Sequence, residues 1–360
     1  MKVLLLACLS KSKSGNNFGG AEKSIINLAN WLARKNYEVT LASVEGSEQS
    51  FEIDERVAFK GYEVQKKDKL SIHFQMFLNT RHAVKEFSPD IVIGFWIHPM
   101  FYLSLLNLKK KPITIYSERN DPNLEYGLVS KILRKHVMNY VDGIVFQTDD
   151  ARNFFDKMIQ EKSRVIHNPI YIKKKDYSLE IKDNRIVTVG RLSVQKNHKL
   201  LIESFEQIKD SFPEVTLEIW GEGPLKDELD SFIIKKKLTN RVKLMGTSKQ
   251  ILNIIEGARL FVLSSSYEGM PNALMEAMGI GIPVISSDCP CGGPRELIID
   301  GKNGYLFKNG DKEDLVEKLK LVLSNPYIRN IQMNEKDICD THSQEYIFGQ
   351  WENYIKHLSV

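Results

Sequence analysis

The stretch LFVLSSSYEGMPNALMEAMGIGIPVIS, Leu260 to Ser286, holds the pattern from which the architecture can be read. Leu260 to Leu263 is an apolar run of strand length, and a polar loop carrying Glu268 and Gly269 follows it. Pro271 then opens a helix that ends near Gly279, and Pro283 to Ser286 is a second apolar run. Proline in the first helical turn and glycine near the last are the expected punctuation of a helix. Strand, loop, helix and strand in close succession is the repeating element of a parallel sheet covered by helices.

The same alternation runs outward in both directions. Toward the N-terminus the strands read Val3 to Cys8, Glu38 to Ala42, Ile91 to Phe95, Ile113 to Ser117 and Gly143 to Gln147. Around the opening stretch they read Ile186 to Val189, Thr216 to Trp220, Val242 to Met245 and Tyr305 to Phe307. Amphipathic segments lie between them; in Ala21 to Arg34, Ile25, Leu28, Ala29 and Leu32 share one face. A chain of 360 residues exceeds one ordinary core, so two doubly wound α/β domains follow. Their boundary is expected at His167, Asn168 and Pro169, because an Asn-Pro pair breaks regular structure and the lysine-rich KKKDYSLEIKDN after it reads as a linker.

Composition narrows the function classes. With 42% apolar and 27% charged residues the chain is a folded protein. The run from Val3 to Leu9 is a buried strand rather than a signal peptide, and no stretch reaches the roughly 18 to 20 apolar residues of a membrane-spanning helix. Cys8, Cys289, Cys291 and Cys339 make no disulfide framework, which points to a reducing cytoplasm. No second pair stands at ligand spacing from Cys289 and Cys291, so no structural zinc is expected. Residues 1 to 168 carry 24 Lys+Arg against 19 Asp+Glu (+5), the remainder 26 against 27 (−1). The excess gathers at Lys109, Lys110, Lys111 and in LVSKILRKHVMNYV, where Lys131, Arg134 and Lys135 interleave with Leu128, Ile132, Leu133 and Val137. Two readings fit that segment: a helix resting on an anionic membrane surface, or a solvated helix packed on its own domain. The excess is too modest, and unaccompanied by a reading module, for nucleic acid.

The opening stretch also carries chemistry. A glycine-containing loop lets backbone N–H groups approach a ligand, and a helix start presents about half a positive charge, so a phosphate belongs there. VGRLSVQKNH places Arg191 directly after a strand and Lys196 five residues on, on the same strand-end surface. Cations fixed where a diphosphate leaves can supply several kcal/mol to the transition state. Glu268 precedes the helix and Glu276 lies about one and a half turns into it, so the two carboxylates need not face each other, and they read as hydroxyl acceptors for two parts of one ligand rather than as an acid/base pair. Gly221 and Gly223 in WGEGP mark a strand-to-helix turn. Gly19 and Gly20 precede the helix at Ala21 after a loop too long for a dinucleotide fingerprint, and are expected to face donor phosphates or acceptor.

Taken together, GGAE, GRLSVQKN, GEGPLKDEL and EGMPNALME resemble glycosyltransferase family 4, the retaining group with the GT-B fold of two Rossmann-like domains facing across a cleft. The resemblance spans nearly the whole chain. It implies that Arg191 and Lys196, beside Gly190, bind the diphosphate of a nucleotide-sugar and that Glu268 contacts the donor sugar. It implies backbone contacts from Gly269, Met270, Pro271, Asn272, Ala273 and Leu274, with Glu276 on the ribose and the base near Met245 and Gly246; Gly221 is a further donor-binding candidate. It also implies that a last helix, about Gln344 to His357, crosses back to the first domain, leaving residues 169–343 as the donor domain. Members often carry a His after the fourth large strand; here IYSERNDP puts Arg119 there. His98 in GFWIHPM either takes that place beside the substrate or caps a loop, and Glu118 and Arg119 are the acceptor-side candidates.

The implied reaction is front-face displacement with retention, in which donor phosphate takes the acceptor's proton. No Asp-x-Asp occurs, so neither a metal nor a cofactor is expected. Similar enzymes build bacterial capsule, O-antigen and lipid-linked glycans. That likeness implies a UDP-sugar donor, a polyprenyl-diphosphate-linked acceptor and a place on the inner face of the cell membrane. The competing readings are a nucleotide-sugar epimerase or hydrolase and a non-catalytic nucleotide-sugar binder. A nicotinamide dehydrogenase lacks its G-x-G-x-x-G turn after the first strand.

Overall fold

A computed structural model describes residues 1–9, 20–46, 52–65, 68–119, 121–122, 127–172, 183–325 and 338–359. The chain divides into two compact units, residues 1–168 with 347–360, and residues 169–346. Most of the expected linker, 173–182, and Gly19 lie outside the described residues.

In the first unit the strands are β1 (Lys2–Ala7), β2 (Glu38–Ser43), β3 (Val57–Gly61), β4 (Ile91–Gly94), β5 (Ile113–Ser117), β6 (Gly143–Phe146) and β7 (Ser163–Val165). They form one parallel sheet in the order β3-β2-β1-β4-β5-β6-β7. Leu4 of β1 is flanked by Thr40 and Val92, and Val3 to Ala7 are wholly buried, as a strand covered on both faces must be. Helix Gly20–Arg34 covers one face with Ile25, Leu28, Ala29 and Leu32. Phe348, Trp351 and Ile355 of the last helix, Gln344–Leu358, enter the same core. Tyr354 fixes that helix: its hydroxyl accepts from Ile144 N at 3.0 Å and donates to Lys162 O at 2.6 Å.

The second unit holds β8 (Arg185–Val189), β9 (Thr216–Trp220), β10 (Val242–Gly246), β11 (Leu260–Leu263), β12 (Val284–Asp288) and β13 (Tyr305–Lys308), again parallel, in the order β10-β9-β8-β11-β12-β13. Both sheets are thus doubly wound α/β layers. In each, the strand order reverses beside the first strand, between β1 and β4 and between β8 and β11, and it is outside the carboxyl ends at such a reversal that open α/β sheets take their ligands.

Three sequence expectations need correction. Edge strands β3 and β7 were not expected; both are short, and β3 is half polar (VAFKG). The helix after β11 runs Asn272–Ile280: Pro271 is its N-cap rather than its first residue, and the chain turns out at Gly281, with φ 81°, not at Gly279. Gly279 is buried inside the helix against Ile170. In helix Leu128–Tyr140, Arg134 does not belong to a cationic outer face: it is buried, donates to Pro122 O at 3.0 Å and lies over Phe154 and Phe155.

Candidate active site

The loops leaving β8 and β11 flank the reversal point of the second unit, and they are tied together. After β8 the chain passes Gly190 and Arg191 into a 3-10 turn, Val194–Lys196, and Asn197 takes a left-handed conformation before helix His198–Ile208. After β11 it passes Ser264 to Ser266 and reaches Glu268. Ser266 N donates to Gln195 O at 2.7 Å, Ser264 Oγ to Lys196 O at 2.9 Å, and Gln195 Nε2 to Tyr267 O at 3.1 Å. Those bonds leave the Lys196 ammonium 2.5 Å from Glu268 Oε1, which also accepts from Ser265 Oγ at 2.6 Å. Glu268 N donates to Pro290 O at 2.9 Å, fixing the carboxylate from behind. Both side chains are largely buried, so the pair meets in a low-dielectric setting where charge counts for more than in water. An ammonium has three donors and a carboxylate two oxygens, so the pair keeps capacity for a further ligand.

Two glycines explain how closely this floor is built. A Cβ on Gly221, whose φ is 146°, would stand 2.0 Å from Gly190 O, so the ends of β8 and β9 meet backbone to backbone. A Cβ on Gly293 would stand 1.8 Å from Gly269 O, so the Glu268 loop rests directly on the start of helix Gly293–Leu297. Gly221 N donates to Gly246 O at 2.7 Å, which brings the expected base-side residues Met245 and Gly246 to the same edge. Met270, Pro271 and Leu274 are buried, with Asn272, Ala273 and Glu276 partly exposed in and after the first turn of helix Asn272–Ile280. Arg191 is exposed on the Lys196 loop.

Sequence reasoning missed Ser265, Ser287, Gln195, Gly293 and His198. Ser287 Oγ donates to Ser265 O at 2.5 Å, joining β12 to the site. His198 is buried beneath the Lys196 loop, and neither ring nitrogen has a hydrogen-bond partner of acceptable geometry. Burial, reinforced by the Lys196 charge, pushes it down to about 4; the nearby backbone of Arg191 and Gly190 offsets only part of this. The imidazole is therefore neutral at pH 7. Burial likewise pushes the Cys289 thiol up to about 12, with the Glu268 charge adding to the effect, so it stands protonated beside the site. The CPCGGP segment that holds Cys289 and Gly293 was the only signal that could have found this part.

In the first unit, Gly20 begins helix Gly20–Arg34. His98 lies at the start of helix Ile97–Ser104, just past β4 at the reversal point. Its ring centroid is 5.1 Å from that of His73, whose Nδ1 is 2.6 Å from Tyr102 Oη. Burial and then the His73 charge lower the His98 pKa, which favours the neutral ring, able to accept a proton. Glu118 is buried and accepts from Tyr116 Oη at 3.2 Å and from Arg119 N at 3.1 Å. The Arg119 guanidinium lies 3.9 Å above the Phe95 ring and donates to Asn168 Oδ1 at 2.6 Å. Among the described residues no three His, Cys, Asp or Glu side chains converge as metal ligands.

Residues 171–337 match the family described as glycosyl transferases group 1, and residues 18–174 match glycosyltransferase family 4. An uncharacterized glycosyltransferase of Methanocaldococcus jannaschii is 31% identical over 287 residues, 71% of this chain and 69% of its own length. This chain belongs to the group 1 glycosyltransferases. Another glycosyltransferase that it resembles is an α-1,4-N-acetyl-D-galactosaminyltransferase of Campylobacter jejuni, named for a diphospho-undecaprenol-linked acceptor. That enzyme is 25% identical over 348 residues, covering 94% of this chain and 95% of its own. Among solved structures, Staphylococcus aureus TarM, in a complex that includes UDP, superposes with a TM-score of 0.80 at 16% identity over 98% of this glycosyltransferase and 99% of TarM. Anabaena HepE with UDP-glucose gives 0.75 at 18% identity, over 100% and 99%. These likenesses are of fold, and the fold they share is GT-B.

Proposed function

We propose that this glycosyltransferase moves a hexosyl or N-acetylhexosaminyl unit from a UDP-sugar, with retention and without a metal, to a growing polyprenyl-diphosphate-linked surface glycan at the cytoplasmic membrane face. The observation that carries the donor half is the Lys196–Glu268–Ser265 cluster at the reversal point of the second sheet. Lys196 and Arg191 face the diphosphate as its charge grows, together with the first turn of helix Asn272–Ile280, and Glu268 takes the donor sugar's hydroxyls. Glu276 takes the ribose, and the base lies by Met245 and Gly246. Displacing Lys196 from Glu268 onto phosphate keeps its charge paired throughout. With no nucleophile required, the leaving phosphate accepts the acceptor's proton. His98, neutral at the first unit's reversal point, is the acceptor-side group, with Glu118 and Arg119 shaping the strand end beside it.

The UDP complexes of proteins sharing this fold support the nucleotide, and the diphospho-undecaprenol named for the Campylobacter relative supports the acceptor. Calorimetric titration tests the donor half. UDP is expected to bind more tightly than GDP, and Lys196→Ala to weaken UDP about tenfold or more while leaving uridine nearly unchanged. Equal losses for UDP and uridine would remove Lys196 from the diphosphate.

A further inference from the structure

Two helices of the first unit carry large apolar side chains on the outside. On Lys69–Phe87, Leu70 is 83% and Phe74 62% exposed, one turn apart on a face opposite the buried Met76, Ala83 and Val84. On Leu128–Tyr140, Leu128, Val129 and Ile132 are 76%, 70% and 60% exposed, while Val137 and Met138 fill the inner face. An amphipathic helix needs one apolar stripe for its own core, and each of these has a second. Both helices follow a strand of the same parallel sheet, so both first turns stand at its carboxyl edge. They also share one layer, because helix Ile97–Ser104 packs between them. Its Tyr102 meets His73 of the first, and its Ser104 Oγ lies 2.9 Å from His136 Nε2 of the second. The apolar residues therefore gather at the edge where His98 lies.

Charge selects what this surface meets. Lys69, Lys131 and Lys135 are exposed among the apolar groups. Helix Leu128–Tyr140 contains no carboxylate; Lys69–Phe87 has only Glu86, at its far end, and the Asp68 carboxylate that caps its start is turned onto the helix, accepting from Ser71 N at 2.8 Å. The other lysine cluster is spent elsewhere: Lys110 pairs with Asp90 and Lys111 with Asp142. A second copy of this face would oppose cation to cation. A sheet of anionic lipid headgroups over hydrocarbon satisfies both features at once. We infer that the first turns of Lys69–Phe87 and Leu128–Tyr140 form a docking surface for an anionic bilayer, Leu70, Phe74, Leu128, Val129 and Ile132 entering the headgroup boundary and the three lysines holding phosphates. No described helix is long and apolar enough to cross a membrane, so attachment is to one leaflet. The inference deepens the lipid-linked acceptor reading and rests on it for the purpose of the surface, which is to bring the edge bearing His98 to the membrane.

Flotation of the full chain with phosphatidylglycerol–phosphatidylcholine vesicles and with pure phosphatidylcholine vesicles tests it. The chain is expected to float with the anionic vesicles and to be released by salt. L70S/F74S and L128S/I132S should each lower the partition coefficient about tenfold, and K131E/K135E by at least about fivefold for each cation reversed. Circular dichroism and UDP titration should match the unaltered chain, which separates lost docking from lost folding. Equal flotation of all variants, or no flotation of the parent chain, overturns the inference. So does a dimer of the parent chain in sedimentation that L70S/F74S splits without any change in flotation, since the face would then join two copies. Transfer to a short-chain, water-soluble prenyl diphosphate glycan without vesicles keeps the two readings apart. Its failure in a chain that floats removes the acceptor reading alone; its success in variants that no longer float leaves the docking surface standing.

Discussion

Lys196 and Glu268 depend on one another at the residue scale. Removing the cation strands a nearly buried carboxylate, which costs on the order of 3 kcal/mol. Lys196→Ala should therefore lower unfolding free energy by about that amount in denaturant titration, and adding Glu268→Gln should restore most of it. The double variant should remain inactive, because stability returns without the groups that meet the donor. His198 offers a separate test through pH. Its folded pKa of about 4 lies below the ordinary 6.5, so the unfolded chain takes up a proton first as pH falls. The stability this ring allows is complete above pH 6.5 and is lost down to about pH 4, a swing of about 3 kcal/mol. His198→Gln should flatten that acid limb in urea midpoints measured across the window; an unchanged slope would assign the loss to other groups. That Lys196 and Glu268 come together was legible, because charge beside glycine and a helix start has few uses. Ser265 and His198 were not, since a serine in a run of three and a histidine in an amphipathic helix acquire their meaning only from tertiary neighbours.

Among elements, the loops after β8 and β11 act as one platform, braced by the start of helix Gly293–Leu297. Gly293→Ala would force a methyl into Gly269 O, so the Glu268 loop must move. About 2 kcal/mol of destabilisation is expected, with UDP affinity falling alongside it in calorimetry; a variant that binds UDP as the parent does would show the brace to be dispensable. Eleven of the thirteen described strands were readable to within about two residues because continuous Val, Ile and Leu runs are required where both sheet faces are covered. β3 and β7 escaped since an edge strand needs no such run: in β3 only Val57 is buried. Gly279 misled for a related reason. A glycine inside a helix can serve close packing, here against Ile170, whereas the left-handed turn was at Gly281.

For the whole molecule, the last helix matters most. Trp351 is wholly buried, with its ring 5.9 Å from that of Phe95, so Trp351→Ala should cost about 3 to 5 kcal/mol. Hydrogen exchange should show the loss concentrated in residues 1–168, with 184–325 keeping its protection; uniform loss would mean that the two units unfold as one. The division into two α/β layers was evident from the alternation of strands and helices. That the last helix, from Ile347 on, completes the first layer was implied by family likeness alone, because nothing in an amphipathic helix names its partner.

That helix also sets an order of assembly during synthesis. A ribosome delivers residues 1–168 first, yet their sheet waits, one flank bare, for side chains encoded nearly two hundred codons later. The second unit can close on itself in the meantime. The part made first is the part finished last, and its unfinished flank is where a nascent-chain chaperone would find hydrophobic surface to hold.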